Sequence, residues 1–250
     1  PAAMVAPTPV SALLHAVAVV KAGVFSFLMV VVYIIGPDYL LQTRASNWLV
    51  WLSSFTILAA SIIAISKDDL KARLAYSTIS QLSYIILGAA LATSFALKGA
   101  SFHIITHAIG KITLFFCAGA IYVTAHVKKI SDLGGLGFKT PLIFFAYTLG
   151  ALSIIGVPPL VGSWSKAFLV IGSLQADYLF VAILLGVSSL LNIYYLLQPV
   201  FIAFNKKNIK NIHITKAPLA VWPPVVTAVG CLLLFFFSNY FLNIINGVVS

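Results

Sequence analysis

Stretches of about 20 apolar residues recur from one end of this 250-residue chain to the other, with most charged residues in the short segments between them. Each stretch is long enough to cross ~30 Å of hydrocarbon as a helix. A spanning segment must satisfy its own backbone polar groups, so the expected fold is all-α, a polytopic membrane helix bundle. Seven transmembrane helices are predicted, at 12–35, 47–65, 74–93, 100–123, 141–171, 177–203 and 219–243, each bounded by charge or by Pro and Gly. Composition agrees: 61% of residues are hydrophobic and 8% charged, against roughly 25% charged in soluble chains. No room is left for a soluble domain, so residues 1–250 read as one transmembrane domain. Because the chain opens at Pro1, without an initiator Met or a signal-peptide pattern, it is expected to be the C-terminal portion of a longer protein.

The net charge of +10 would suggest a nucleic-acid partner in a soluble protein, but its distribution points to topology instead. Lys67, Lys71, Arg73, Lys128, Lys129, Lys139, Lys206, Lys207, Lys210 and Lys216 fall in alternate loops on one face, and Arg44 and Lys98 on the other. By the positive-inside rule the first face is cytoplasmic, which fits a bacterial inner membrane and a lipid partner, with no nucleic acid. Cys117 and Cys231 lie within apolar runs and read as small hydrophobes. No cofactor motif is present.

The fifth predicted helix carries Gly156, Val157, Pro158, Pro159 and Gly162 near its middle, where proline removes backbone donors and clashes with the preceding turn. The helix should break at Pro158–Pro159. Irregular backbone at membrane depth is tolerated against protein or a water-filled cavity, so the break is expected to face an internal path. A packing kink is the alternative. Gly162 and Ser163 can restart the second half, with Ser163 as its N-cap and Lys166 in its first turn; there the positive end of the helix dipole disfavours an ammonium by about 0.3–1 kcal/mol. Snorkelling to the outer interface is the alternative for Lys166.

Lys21, Lys111 and Lys166 all fall deep in predicted spans, where a charged lysine costs ~2.5–3.5 kcal/mol. The chain contains no Glu, and its Asp residues (Asp38, Asp68, Asp69, Asp132, Asp177) sit at or near predicted loops. Either the amines are neutral part of the time, or they lean on water and on carboxylates from outside this chain; both situations suit proton transfer. His103, His107 and Lys111, spaced by four, line one helical stripe with ~6 Å between neighbours. One water between neighbours suffices for a proton to hop. Two histidines alone do not make a metal site, and no HExxH motif, carboxylate or Cys ligand accompanies them, so no metal is expected. His15 and Lys21 lie six residues apart, on different faces unless the helix is locally rewound. Ser77, Thr78, Ser80, Gln81 and Ser83 make the third helix polar; they read as interhelical glue, with Ser80 and Gln81 as secondary lining candidates. Asn192, Tyr194, Tyr195 and Gln198 receive the same packing assignment.

Four blocks, APTPVSALLHAVAVVKAGVF, KDDLKARLAYSTISQLSY, FHIITHAIGKITLFFCAGAI and GVPPLVGSWSKAFL, together resemble the antiporter module shared by Mrp-type monovalent cation/proton antiporters, complex I membrane-arm subunits and related hydrogenases. The likeness is closest to the D-type subunits of the Mrp antiporters. It implies a partial antiporter-like fold and a proton relay through His15, Lys21, His103, His107, Lys111 and Lys166, with Pro158 at the helix break. It also implies protons and Na⁺ as cargo, other membrane subunits as partners, and a glutamate and a lysine on two earlier helices. Lys166, where some relatives carry glutamate, favours the L-like and Mrp-like branches over the M-like one. The rival reading is a proton-pumping subunit of an NADH-quinone oxidoreductase or hydrogenase complex, whose redox chemistry would belong to partners.

Overall fold

In the computed structural model, residues 6–205, 214–215 and 217–249 are described, and among them the regular structure is helical, apart from one isolated β-bridge. Twelve α-helices follow one another: α1 Thr8–Ser11, α2 Val19–Met29, α3 Pro37–Thr43, α4 Asn47–Ser66, α5 Leu70–Leu91, α6 Ser94–Ala125, α7 Leu136–Lys139, α8 Pro141–Ile155, α9 Gly162–Gln175, α10 Leu179–Ala203, α11 Pro218–Phe236 and α12 Ser238–Val249. Five of them (α4, α5, α6, α10 and α11) are long and apolar enough to cross a membrane, and the stretch from Val19 to Thr43, bent by 79°, makes a sixth. The chain is a membrane-embedded, multi-pass helical bundle.

Of the seven predicted spans, the fifth breaks where expected and the first needs a correction. The fifth is two half-helices, α8 and α9, because Pro158 and Pro159 bring no N–H to the carbonyls four residues earlier, Ile154 and Ile155. Gly156, at φ +92°, ends the first half in a conformation few side chains adopt. Gly162 starts the second so close to the first that a Cβ there would lie 1.8 Å from the Ser153 carbonyl oxygen. The first predicted span is also irregular. Ala12–Val17 winds wide, with the Ala18 N–H reaching back five residues to Leu13 O (2.9 Å), and Val30–Ile35 winds wide again before Gly36 and Pro37 turn the chain. Residues 12–18 contain neither Gly nor Pro, so the sequence gives no sign of this break.

Short turns make neighbours antiparallel: residues 67–69 join α4 to α5, 92–93 join α5 to α6, and 176–178 join α9 to α10. Side-chain acceptors start two of these helices, Asp69 for Ala72 N (2.8 Å) and Thr93 for Ala96 N (3.3 Å). α6, the longest helix, is the centre of the bundle, packing against α5, α8, α9, α11, α12 and the wide turn Ala12–Val17. α5 is buried over most of its length, whereas α4 turns Trp48, Trp51, Phe55 and Ile62 outward. That is the distribution expected of a central helix and of one at the lipid boundary.

One end of the bundle carries Lys67, Lys71, Lys128, Lys129 and Lys139, at or near helix ends; the other carries Arg44 and Lys98. Arg73 corrects the sequence reading. It lies inside α5, 3% exposed, donating to Lys67 O (2.9 Å), Ile65 O (3.2 Å), Tyr195 O (3.2 Å) and Gln198 Oε1 (2.5 Å), so it ties α4, α5 and α10 together. Lys206, Lys207, Lys210, His213 and Lys216 lie outside the described residues.

Candidate functional site

Three helix segments bring the deep titratable groups together. α6 supplies His103, His107 and Lys111 on one buried face, 2%, 0% and 0% exposed, with the two imidazole rings stacked at 5.8 Å. α2 supplies Lys21, three residues past the irregular turn, whose Nζ meets His107 Nδ1 at 2.5 Å. α9 supplies Lys166, in the first turns past the other break. Both lysines that join the α6 stripe from outside it therefore stand at the start of a half-helix.

With no acid in reach, the lysine amines use neutral acceptors. Lys111 Nζ donates to the Leu74 carbonyl of α5 at 3.1 Å. Lys166 Nζ donates to Ile155 O at 2.9 Å and to Ser189 Oγ at 3.1 Å. The Ile155 carbonyl is the one whose helical partner position is Pro159, so the residue that breaks the helix also frees an acceptor for the lysine. Lys166 Nζ also sits 5.1 Å over the Tyr84 ring, a cation–π contact, and that ring stacks on His103 at 5.6 Å. Lys166 is 9% exposed and held from three sides; it does not snorkel. Ser163, expected as the N-cap of the second half, instead lies inside α9 and donates to Leu160 O (2.8 Å), and no side chain caps that helix.

Two residues that sequence reasoning passed over complete the connection. Ser165, fully buried, bonds to His103 Nδ1 at 2.9 Å, to Thr106 Oγ1 at 3.3 Å and to Gly162 O at 3.0 Å. Tyr84 lies between His103 and Lys166. Adjacency to Lys166 in GSWSK was the available signal for Ser165, and position in the buried polar run of α5 was the signal for Tyr84. Lys21, His107, His103, Tyr84 and Lys166 follow one another through successive side-chain contacts, with Ser165 bonded to His103 alongside, and Lys111 stands one helical turn from His107 on the same face of α6. The ε2 nitrogens of His103 and His107 are buried without a protein partner; such atoms take water where protein does not serve.

Other expected residues fall elsewhere. The backbone of His15 belongs to the wide turn Ala12–Val17, which supplies the rewinding its spacing from Lys21 required, and its side chain lies outside the described residues. Ser80 is buried and bonded to Ser61 Oγ (3.0 Å) and Ile57 O (3.1 Å), a packing role. Gln81 is fully buried with both side-chain amide atoms unpartnered. Pro158, joined to Pro159 by a cis peptide, and Gly156 line a cavity of about 720 Å³ that opens beside Lys166 between Trp164, Ser189 and Phe235. No cluster of three metal-ligating side chains occurs among the described residues. The free thiols of Cys117 and Cys231 are buried.

A multi-pass helical bundle with broken spans, whose central amines rest on neutral acceptors and not on acids, defines a class of membrane protein with a polar interior seam. The chain belongs to the NADH:quinone oxidoreductase/Mrp antiporter transmembrane family, whose pattern matches residues 1–192. It is 43% identical over 157 residues to NADH-quinone oxidoreductase subunit N of Desulforudis audaxviator, covering 62% of this chain and 31% of that one. To NADH-quinone oxidoreductase subunit L of Mycobacterium tuberculosis it is 36% identical over 237 residues, 91% of this chain and 36% of that one. Its fold is similar to a chain of the Mrp complex from Dietzia sp. (TM-score 0.86, 20% identity, 97% of this chain and 53% of the other). It is likewise similar to a chain of Thermus thermophilus respiratory complex I (TM-score 0.65, 23% identity, 82% and 47%). The chain spans about a third of the length of these curated relatives and about half of the solved ones.

Proposed function

We propose that this chain is the proton-conducting half of an antiporter-like membrane subunit, in which protons pass along Lys21, His107, Lys111, His103 and Lys166 and leave by the cavity beside the broken helix. The observation that carries the reading is the 2.5 Å contact between Lys21 Nζ and His107 Nδ1. At that distance the amine and the imidazole are hydrogen-bonded, and which of the two donates is set by the tautomer of the imidazole and the protonation of the amine. Placing either group there only for packing would leave an ammonium in hydrocarbon without an acid, at ~2.5–3.5 kcal/mol for each lysine. A role in accepting and releasing protons accounts for all three. Charge passes by repulsion: a proton arriving at Lys111 raises the energy of one on Lys166 and drives it outward. No bond other than N–H or O–H forms or breaks.

His15 belongs to the same relay by its resemblance to the family pattern. The complete protein is placed in a bacterial inner membrane with its lysine-rich face in the cytoplasm, beside other membrane subunits, exchanging protons for Na⁺ as the D-type component of an Mrp antiporter would. The fold likeness to an Mrp complex chain supports that reading. The second reading is a redox-driven pump of the complex I kind, favoured by the names of the curated relatives, subunits N and L. Both use the same seam and differ in what drives it.

The test is Lys111→Ala in the complete protein, reconstituted in vesicles containing a pH-sensitive dye. Proton movement driven by a Na⁺ gradient, or by an electron donor in the second reading, is expected to be lost; unchanged movement would remove Lys111 from the path. Which of the two driving forces moves protons in the unsubstituted protein decides between antiporter and pump.

A further inference from the structure

Beside the histidine stripe, a second set of buried polar side chains crosses the same core. On α5, Ser77, Gln81 and Tyr84 are spaced four and three residues apart, which puts them on one face. On α10, Ser188, Asn192 and Tyr195 repeat that spacing, and all six are fully buried. The two rows meet through the Tyr195 hydroxyl, which bonds to Ser77 Oγ (3.0 Å) and to Asn192 Oδ1. Deeper in the bundle the Tyr84 hydroxyl faces Ser188, Ser189 and Asn192, short of direct hydrogen-bonding geometry. Ser189 then accepts from Lys166 Nζ at 3.1 Å.

Both amide atoms of Gln81, the hydroxyls of Tyr84 and Ser188, and the amide nitrogen of Asn192 have no protein partner, although all are buried. Buried polar atoms are satisfied by water when no protein group serves. A row of such atoms about one helical turn apart is the lining that a file of water needs. At the shallow end, on the lysine-rich side, the row stops at Arg73, fixed on Gln198 and on the Tyr195 carbonyl. A guanidinium stays charged at any physiological pH, so it repels a hydronium as well as filling the mouth.

We propose that this row is a second hydrated proton path, leading from the lysine-rich face to Lys166 without passing through Lys111, and that Arg73 is the gate that keeps it shut. The proposal rests on Lys166 carrying protons, as in the proposed function. It deepens that reading by giving Lys166 an entrance of its own and a group that prevents leakage through it.

The experiment measures passive proton leak in vesicles holding the complete protein, with no Na⁺ gradient and no electron donor. Arg73→Gln is expected to raise the leak at least threefold, and adding Tyr195→Phe or Lys166→Ala to it should return the leak to background. Adding Lys111→Ala should leave that leak in place. Because Arg73 ties three helices, Gln198→Leu provides a milder opening that removes one anchor and keeps the guanidinium, with a smaller leak expected. Absence of leak in folded Gln198→Leu and Arg73→Gln, or a leak indifferent to Tyr195→Phe, overturns the second path. A leak that needs Lys111 assigns it to the histidine stripe and overturns the path equally. Failure of the relay itself reads out separately, as coupled transport surviving Lys111→Ala.

Discussion

At the scale of single residues, the question is how lysine amines are accommodated in a bundle with no acid near them. Backbone carbonyls provide part of the answer: Leu74 O for Lys111 and Ile155 O for Lys166. An imidazole serves Lys21, and the Ser189 hydroxyl and the Tyr84 ring add to the support of Lys166. The carboxylates work at the edge instead. Desolvation, the largest single influence on Asp68, pushes its carboxyl up, but hydrogen bonds from the Ser131 hydroxyl (2.8 Å) and backbone N–H (3.0 Å), with the charges of Lys129 and Arg73, outweigh it and hold it below the usual value of 3.8. A depressed carboxyl stabilises the fold above its unfolded pKa and loses that contribution as pH falls through the folded value. Asp68 is largely solvated, so the contribution is under about 1 kcal/mol. Asp68→Asn should therefore lower the melting temperature slightly at neutral pH, with the gap closing on acidification below the ordinary carboxylate range. A gap that widened in acid would contradict the assignment.

Among elements, the broken span α8–α9 governs the site because it sets both the position of Lys166 and the acceptor it uses. Its geometry depends on a contact that only glycine permits, Gly162 against Ser153 O. Gly162→Ala should destabilise the protein by about 1–3 kcal/mol or more through overpacking, visible as a lower melting temperature in detergent, and should reduce transport by shifting Lys166. Full stability in Gly162→Ala would show that the half-helices can slide apart without consequence. The break beside Lys21 is invisible in sequence because a wide turn needs neither Pro nor Gly, whereas Pro158–Pro159 announces itself. Arg73 reads as a loop residue for a related reason: the pattern of charge marks helix ends only to within a few residues, and the end it marks is capped by Asp69 instead.

For the whole molecule, the testable property is sidedness. α6 runs from Ser94 to Ala125, so Lys98 and Lys128 lie at opposite ends of a 32-residue helix that is about 48 Å long. Single cysteines at those two positions, in a background whose native thiols are buried, should react with an impermeant thiol reagent from opposite sides of a sealed vesicle. Lys128→Cys should react from the cytoplasmic side. Labelling of both from the same side would refute the topology. The sequence by itself determined the all-helical membrane fold, the break at the paired prolines and the common face of His103, His107 and Lys111, since hydropathy, missing N–H groups and a 3.6-residue period are properties of a segment alone. Tertiary structure decided which helices that face meets, with Lys21 against His107 and Ser165 against His103, and it also set Tyr84 under Lys166 and Tyr195 on Ser77. Helical periodicity fixes where a side chain stands on its own helix but not which neighbour packs opposite, and that choice depends on shape and volume summed over the entire bundle.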